Sequence, residues 1–148
     1  MKCIAVNKKY YKLLKDNLKN IQVELLENEA QKADLIIGDN STDNADICFH
    51  PSLLPSFNTK EPIKDAFCAG VKVSGVTVYC PKTDKIIAQY PVLIGNSTHY
   101  DEFEKEIHQL EHLLYPIVID KILKDEVFDF NDLMGKCSGN CSGCNSCH

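Results

Sequence analysis

No apolar run in this 148-residue chain reaches the roughly 20 residues that a helix needs to cross a bilayer. A membrane partner is therefore not expected. The N-terminus shows no apolar export segment either, so a cytoplasmic location is expected. Positive charge is not in excess: 16 basic residues face 21 acidic ones, for a net charge of −5. That balance argues against a nucleic-acid partner held through phosphate charge. Glycine is missing where a phosphate-cradling loop would need it. The first apolar run leads into Asn7-Lys8-Lys9-Tyr10-Tyr11, and a loop bearing side chains cannot bring its backbone N–H groups close to a phosphate. Lys8 and Lys9 can attract an anion, but a solvated helix start is the plainer account. What is present is ordinary for one domain with a real core: 44% hydrophobic and 25% charged residues. The exception is cysteine. Eight are present, and four crowd into the last twelve residues. Without an export signal, such crowding points to metal or redox chemistry rather than structural disulfides.

In chain order, Met1 to Val6 reads as an interior strand. Lys8 to Leu18 reads as a helix with an apolar stripe of Tyr11, Leu13, Leu14 and Leu18. Short strands are expected at Val23 to Leu26, Ala33 to Ile37 and Ile47 to Phe49, with the polar run from Gly38 to Asn44 as a loop. Ile63 to Ala69 reads as a helix closed by Gly70 as its C′ residue. Val71 to Cys80 and Ile86 to Val92, joined by Pro81-Lys82-Thr83-Asp84-Lys85, read as an antiparallel hairpin. Thr98, followed by Asp101 and Glu102, approximates a capping arrangement for a long helix. Pro116 is expected to kink that helix and start a new segment, Ile117 to Leu123. Glu126 to Phe130 alternates as an edge strand would. Cys3 and Cys68 read as small buried hydrophobes. The fold class is α/β.

The chain is organised around His50-Pro51-Ser52-Leu53-Leu54-Pro55-Ser56-Phe57. A polar His sits where a buried strand ends and a Pro-stiffened loop begins, and open α/β sheets place ligands at such strand ends. The plainer reading is a rigid loop whose His caps a backbone carbonyl. The functional reading needs an imidazole presented from the sheet's carboxyl edge into a crevice open to solvent. This stretch resembles the His-Pro-Ser-Leu-Leu-Pro signature of the folate-dependent formyltransferases, in particular those acting on glycinamide ribonucleotide. The resemblance continues in order through Ala69 to Val78, Ile87 to Val92 and Glu111 to Pro116, and covers about half the chain, Ile47 to Leu123. It implies a three-layer, Rossmann-like mixed sheet with flanking helices, here with a shortened N-terminal half.

The resemblance also implies a site. In the family an Asn and a His stabilise the oxyanion of formyl transfer, and an Asp helps move protons and holds the His charged. His50 matches the family His. Cys48 stands where the family Asn would be, and a thiol is a poor substitute for an amide donor. Asp84, in a contracted connection without glycine, occupies the place of the Asp. Tyr79 replaces a second His, and Leu54 belongs to the loop beside the folate pocket. The resemblance therefore implies His50 and Asp84 as the catalytic pair, with Cys48, Leu54 and Tyr79 lining a cofactor pocket for 10-formyltetrahydrofolate.

The chain ends with Cys137, Cys141, Cys144 and Cys147 in the pattern C-x3-C-x2-C-x2-C-H. Four thiolates with small residues between them can hold a 4Fe–4S cluster or a tetrahedral zinc ion. A radical-SAM reading of the first three is rejected, because that chemistry needs a barrel around the cluster. A flexible tail carrying adventitious metal or redox disulfides is the plainer alternative. Residues 1–133 are thus expected to form a formyltransferase-like domain and 134–148 a metal-binding tail. Three functions stay open. The first is a formyltransferase-like protein without the parent activity, binding a small-molecule ligand. The second is an active one-carbon transferase on an unknown amine. The third is a metal-delivery or redox module, with a metal- or redox-handling protein as partner and Cys48 and Cys80 acting beside the tail. The oligomeric state is left open.

Overall fold

The computed structural model describes residues 1–27 and 32–129. The four tail cysteines and Phe130 lie outside these residues. The elements are β1 (Cys3–Val6), α1 (Lys8–Asn17), β2 (Gln22–Leu25), β3 (Leu35–Gly38), β4 (Ile47–His50), α2 (Pro62–Cys68), β5 (Val73–Cys80), β6 (Lys85–Leu93) and α3 (Tyr100–Leu123). Among the described residues they build one six-stranded sheet in the order β2-β1-β3-β4-β5-β6. The first four strands pair in parallel, and β4-β5-β6 pair antiparallel. The expected α/β mixed sheet with flanking helices is the observed architecture.

β1, β3 and β4 are short and almost wholly apolar, as strands covered on both faces must be, whereas edge strand β2 carries Gln22 and Glu24 and is partly exposed. β1 buries Ile4, Ala5 and Val6 completely, and β4 is buried along its whole length. Alternation along β4 sorts its side chains. Phe49 pairs with Val78, whereas Cys48 pairs with Tyr79 and His50 with Thr77 on the other face. Phe49 stacks on Tyr115 of α3 at 3.7 Å between centroids, and Tyr10 of α1 meets Phe49 edge-on at 4.9 Å. This aromatic cluster ties both long helices to the strand that delivers His50.

α1 begins at Asn7, whose Oδ1 accepts from the Tyr10 N–H. Its buried face is Tyr10, Leu14 and Leu18; Tyr11, expected in the stripe, is only half-buried. α2 closes as expected at Gly70, with φ +74 and its N–H donating to the Phe67 carbonyl. Gly75 of β5 is required for a different reason: a Cβ there would lie 2.0 Å from the Tyr90 carbonyl oxygen of β6.

Several expectations are corrected. α3 does not break at Pro116; it runs unbroken from Tyr100 to Leu123. An interior proline costs about 3 kcal/mol, but Leu114, Tyr115, Val118 and Ile119 around it are all fully buried. Each such side chain contributes roughly 1.5–3 kcal/mol, so burial outweighs the break. Thr98 does not cap α3. Its Oγ1 accepts from the Gly95 N–H at 3.0 Å, and His99 takes the cap position without a side-chain bond. Residues 126–129 form no strand. The chain turns at Asp125, with φ 56, and the Glu126 N–H donates to the Lys121 carbonyl, so it folds against the end of α3. Cys68 is exposed and Cys3 half-buried, so neither is a buried hydrophobe.

Candidate functional site

β1, β3 and β4 are parallel neighbours, so their carboxyl ends open onto one rim. A cleft of about 590 Å³ lies there, in the crevice where open α/β sheets bind ligands. Its walls come from the first turn of α1 (Lys9, Tyr10), the turn after β3 (Asp39, Asn40, Ser41), the end of β4 (Phe49, His50) and the loop beyond it (Asn58, Thr59, Lys60). The strand-end logic read from the sequence thus places His50 at the wall of a cleft.

The expectation of an open imidazole is corrected. The ring borders the cleft, yet His50 is only 2% exposed. Both ring nitrogens are engaged within the protein. Nε2 lies 3.0 Å from the Phe57 carbonyl oxygen, and Nδ1 lies 2.9 Å from Nδ2 of Asn40. A carbonyl only accepts, so Nε2 carries the proton and donates. In the neutral ring Nδ1 then accepts from the Asn40 amide. Burial lowers the His50 pKa below its ordinary value; Lys9 adds to this, while the Phe57 carbonyl and Glu111 oppose it. The plainer reading of the stretch, a His capping a backbone carbonyl, describes this geometry.

The Pro-framed loop is fixed by Thr77 of β5. Its fully buried Oγ1 donates to the Ser52 carbonyl at 2.6 Å and accepts from the Leu54 N–H at 3.1 Å. Gln89 of β6 donates to the Leu54 carbonyl at 2.9 Å. Ser52 Oγ donates to the Ser56 carbonyl at 2.7 Å. The loop therefore presents Phe57 O to the imidazole from a braced position.

Tyr79 and His50 are brought together through Asn40, which the sequence reading left in a featureless polar loop; Cys48 joins them by pairing with Tyr79 across the strands, and neither Cys48 nor Tyr79 lines the cleft. The Tyr79 hydroxyl donates to Asn40 Oδ1, and Asn40 Nδ2 also reaches Asn58 Oδ1 at 3.3 Å. The Cys48 thiol donates to the Asp39 carbonyl at 3.4 Å. Burial pushes the Cys48 thiol up to about 11 and the Tyr79 phenol up to about 12, so both stay protonated near neutrality. Burial also works against the Asp39 carboxylate. Hydrogen bonds from Ser41, the charge of Lys9 and a bond from Thr42 outweigh it and hold that carboxyl below its usual range.

The other expected site residues lie apart. Asp84 is exposed in the β5–β6 turn with φ 53, beyond Tyr79 and Cys80, and does not line the cleft. Its charge reaches Tyr79. Leu54 is half-buried, held through its backbone by Thr77 and Gln89, and is likewise absent from the cleft wall. Cys80 sits at the start of the same turn, where the Thr83 hydroxyl and the Thr83 and Lys82 N–H groups lower its pKa.

Lys9 and Lys60 make no ion pair among the described residues, and the Tyr10 hydroxyl is buried without a partner. Tyr10 and Lys60 were not expected in the site. Helical spacing admits either Tyr10 or Tyr11 on the inner face, which is the signal that could have placed Tyr10. Among the described residues no group of three or more His, Cys, Asp or Glu side chains is arranged to hold a metal ion. No helix there is long and apolar enough to cross a membrane.

A mixed α/β sheet with a ligand crevice at its parallel carboxyl ends, and a Pro-framed His at that crevice, defines the class. The model of the formyl transferase family matches residues 40–119, more than half of the chain, and the chain belongs to that family. It is similar to the phosphoribosylglycinamide formyltransferase of Bacillus subtilis (strain 168), at 43% identity over 81 residues. That match takes in 52% of this chain and 42% of the relative, so the aligned chain spans less than half of the relative's length. Two solved structures share the fold. The phosphoribosylglycinamide formyltransferase of Streptococcus pneumoniae TIGR4 superposes with a TM-score of 0.63 at 22% identity, covering 83% of this chain and 99% of that one. The enzyme of Campylobacter jejuni subsp. jejuni NCTC 11168 gives 0.65 at 20% identity, covering 82% and 97%.

Proposed function

We propose that this chain is a cytoplasmic, small-ligand-binding member of the formyl transferase family that lacks ordinary glycinamide ribonucleotide formyltransferase activity. One observation carries the reading: the polar donors around the imidazole are consumed inside the protein. His50 gives its Nε2–H to Phe57 O, Asn40 spends its amide on His50 and Asn58, and Cys48 gives its proton to Asp39 O. A formyl oxyanion needs preorganised donors aimed into the cleft, and losing one such donor costs on the order of 10²–10³ in rate. Asp84, the proposed partner of His50, lies off the cleft wall.

Binding is a different matter. Lys9 and Lys60 line the cleft and make no ion pair among the described residues, and both favour a negatively charged small molecule. Every cation of this chain is a lysine, so the anion is met by point charges rather than bidentate forks. Titration calorimetry on the full chain, with glycinamide ribonucleotide, inorganic phosphate and 10-formyltetrahydrofolate in separate arms, tests this. Heat from a phosphate-bearing arm, abolished in a Lys9→Ala, Lys60→Ala double variant, supports the reading. No heat from any arm removes it. A folate response with turnover favours the second reading, a one-carbon transferase using His50 and Asp84 with Cys48, Leu54 and Tyr79 in the cofactor pocket.

The four terminal cysteines support a separate role for residues 134–148. Their C-x3-C-x2-C-x2-C spacing favours a 4Fe–4S cluster or zinc on Cys137, Cys141, Cys144 and Cys147, and through it a metal- or redox-handling partner. Iron, sulfide and zinc analysis after anaerobic purification, with the four residues changed to serine as control, decides between metal and none.

A further inference from the structure

The His50–Asn40 contact is more than a brace. The Phe57 carbonyl can only accept, so Nε2 of His50 bears a proton whether the ring is neutral or charged. Nδ1 is the one ring position that can change. With Asn40 Nδ2 facing it at 2.9 Å, Nδ1 must be a bare lone pair. A protonated Nδ1 requires an acceptor there, and the same carboxamide supplies one if it turns over. Its far end meets the Tyr79 hydroxyl, which accepts as readily as it donates, so that contact survives either orientation. Asn58, the remaining neighbour, also carries an amide and can turn with it.

We propose that Asn40 is the positioning residue of this cleft, its carboxamide holding Nδ1 of His50 unprotonated in one orientation and accepting from a protonated Nδ1 in the other. The side chain that ties the turn after β3 to β5 and to the loop after β4 thereby decides whether the cleft contains a neutral ring or an imidazolium. The surrounding charges do not decide it alone. Burial and Lys9 disfavour the imidazolium, and the Phe57 carbonyl and Glu111 favour it; Lys60 and Asp39 line the same cleft. Cys48, Tyr79 and Tyr10 are held neutral, because their pKa values are raised. A negatively charged ligand beside Lys9 and Lys60 would tip the pair towards the charged form, coupling its binding to proton uptake. Only that consequence rests on the binding role proposed above; the ring's own state is measured without ligand.

Nitrogen-15 NMR of histidine-labelled full chain tests the proposal across a pH titration. The wild type is expected to show the Nε2–H tautomer for His50, identified by its loss in His50→Gln. Asn40→Asp places a permanent acceptor at Nδ1, and the midpoint of His50 should rise by about 1–3 pH units, as for a ring beside a carboxylate. Asn40→Leu removes the acceptor in both orientations, and its midpoint should fall below the wild-type value. Asn58→Ala should leave the tautomer unchanged. Circular dichroism checks each fold, and a loss of fold in either Asn40 variant still leaves the wild-type tautomer and the other variant as readouts. An Nδ1–H tautomer in the neutral wild type, or one midpoint shared by the wild type and every folded Asn40 variant, overturns the assignment.

Discussion

Replacing Thr77 with valine removes one oxygen and keeps the shape. That oxygen is fully buried; it donates to the Ser52 carbonyl and accepts from the Leu54 N–H and from Gln89 Nε2. Gln89 keeps a second partner, the Leu54 carbonyl, so its loss is small. The backbone groups of Ser52 and Leu54 lose a bond without replacement. Leaving a buried polar group unsatisfied costs about 1–3 kcal/mol, and two of them give about 2–6 kcal/mol. Against a total stability of about 5–15 kcal/mol, that is a large fraction. The same change should loosen the loop that carries Phe57 to His50. Urea unfolding followed by circular dichroism measures the cost, and an unchanged slope with a lower midpoint assigns it to the folded state. Thr77→Ser keeps the oxygen and should lose about 1 kcal/mol, the scale of one buried methyl. A valine variant within about 0.5 kcal/mol of wild type would refute the view that this hydroxyl holds the loop.

Three further outcomes are expected. The His50 pKa is lower folded than unfolded, so its contribution to stability is present above about pH 6.5 and is lost as pH falls through the folded value; His50→Gln should flatten that part of the stability-against-pH curve, and an unaltered curve would count against a buried neutral ring. Gly75→Ala forces a Cβ onto the Tyr90 carbonyl, and it should lower thermal stability by about 1–3 kcal/mol or more; an unchanged melting temperature would contradict the register of β5 and β6. Timed iodoacetamide labelling with peptide mapping should modify Cys80, whose pKa is lowered, well before buried Cys48, whose pKa is near 11; the reverse order would contradict both environments.

Much of the sheet was legible because its strands are short, β-branched and bounded by turn residues. The β5–β6 hairpin and the Gly70 helix end follow from local chemistry alone. Failures came where tertiary burial overrode local preference. Pro116 remains inside α3 because four fully buried neighbours hold the helix on the core. Residues 126–129 alternate like a strand, yet the Asp125 turn returns them to the end of α3. The position of His50 at a strand end could be read from Ile47-Cys48-Phe49 and the prolines after it. Its closure could not, because Asn40 lies ten residues upstream in a polar run and gains meaning only when β3 and β4 align. Tyr10 was hidden for a similar reason: helical spacing admits either Tyr10 or Tyr11, and only packing against Phe49 and Tyr115 selects the former.

The most direct measurement is formyl transfer by the purified full chain, given 10-formyltetrahydrofolate and glycinamide ribonucleotide. With the donors at His50 spent and the Cys48 thiol bonded to the Asp39 carbonyl, turnover should fall at least on the order of 10²-fold below that of a family enzyme assayed alongside, while the phosphate-bearing amine still binds. Turnover equal to that of the reference enzyme, lost in His50→Gln, would contradict it.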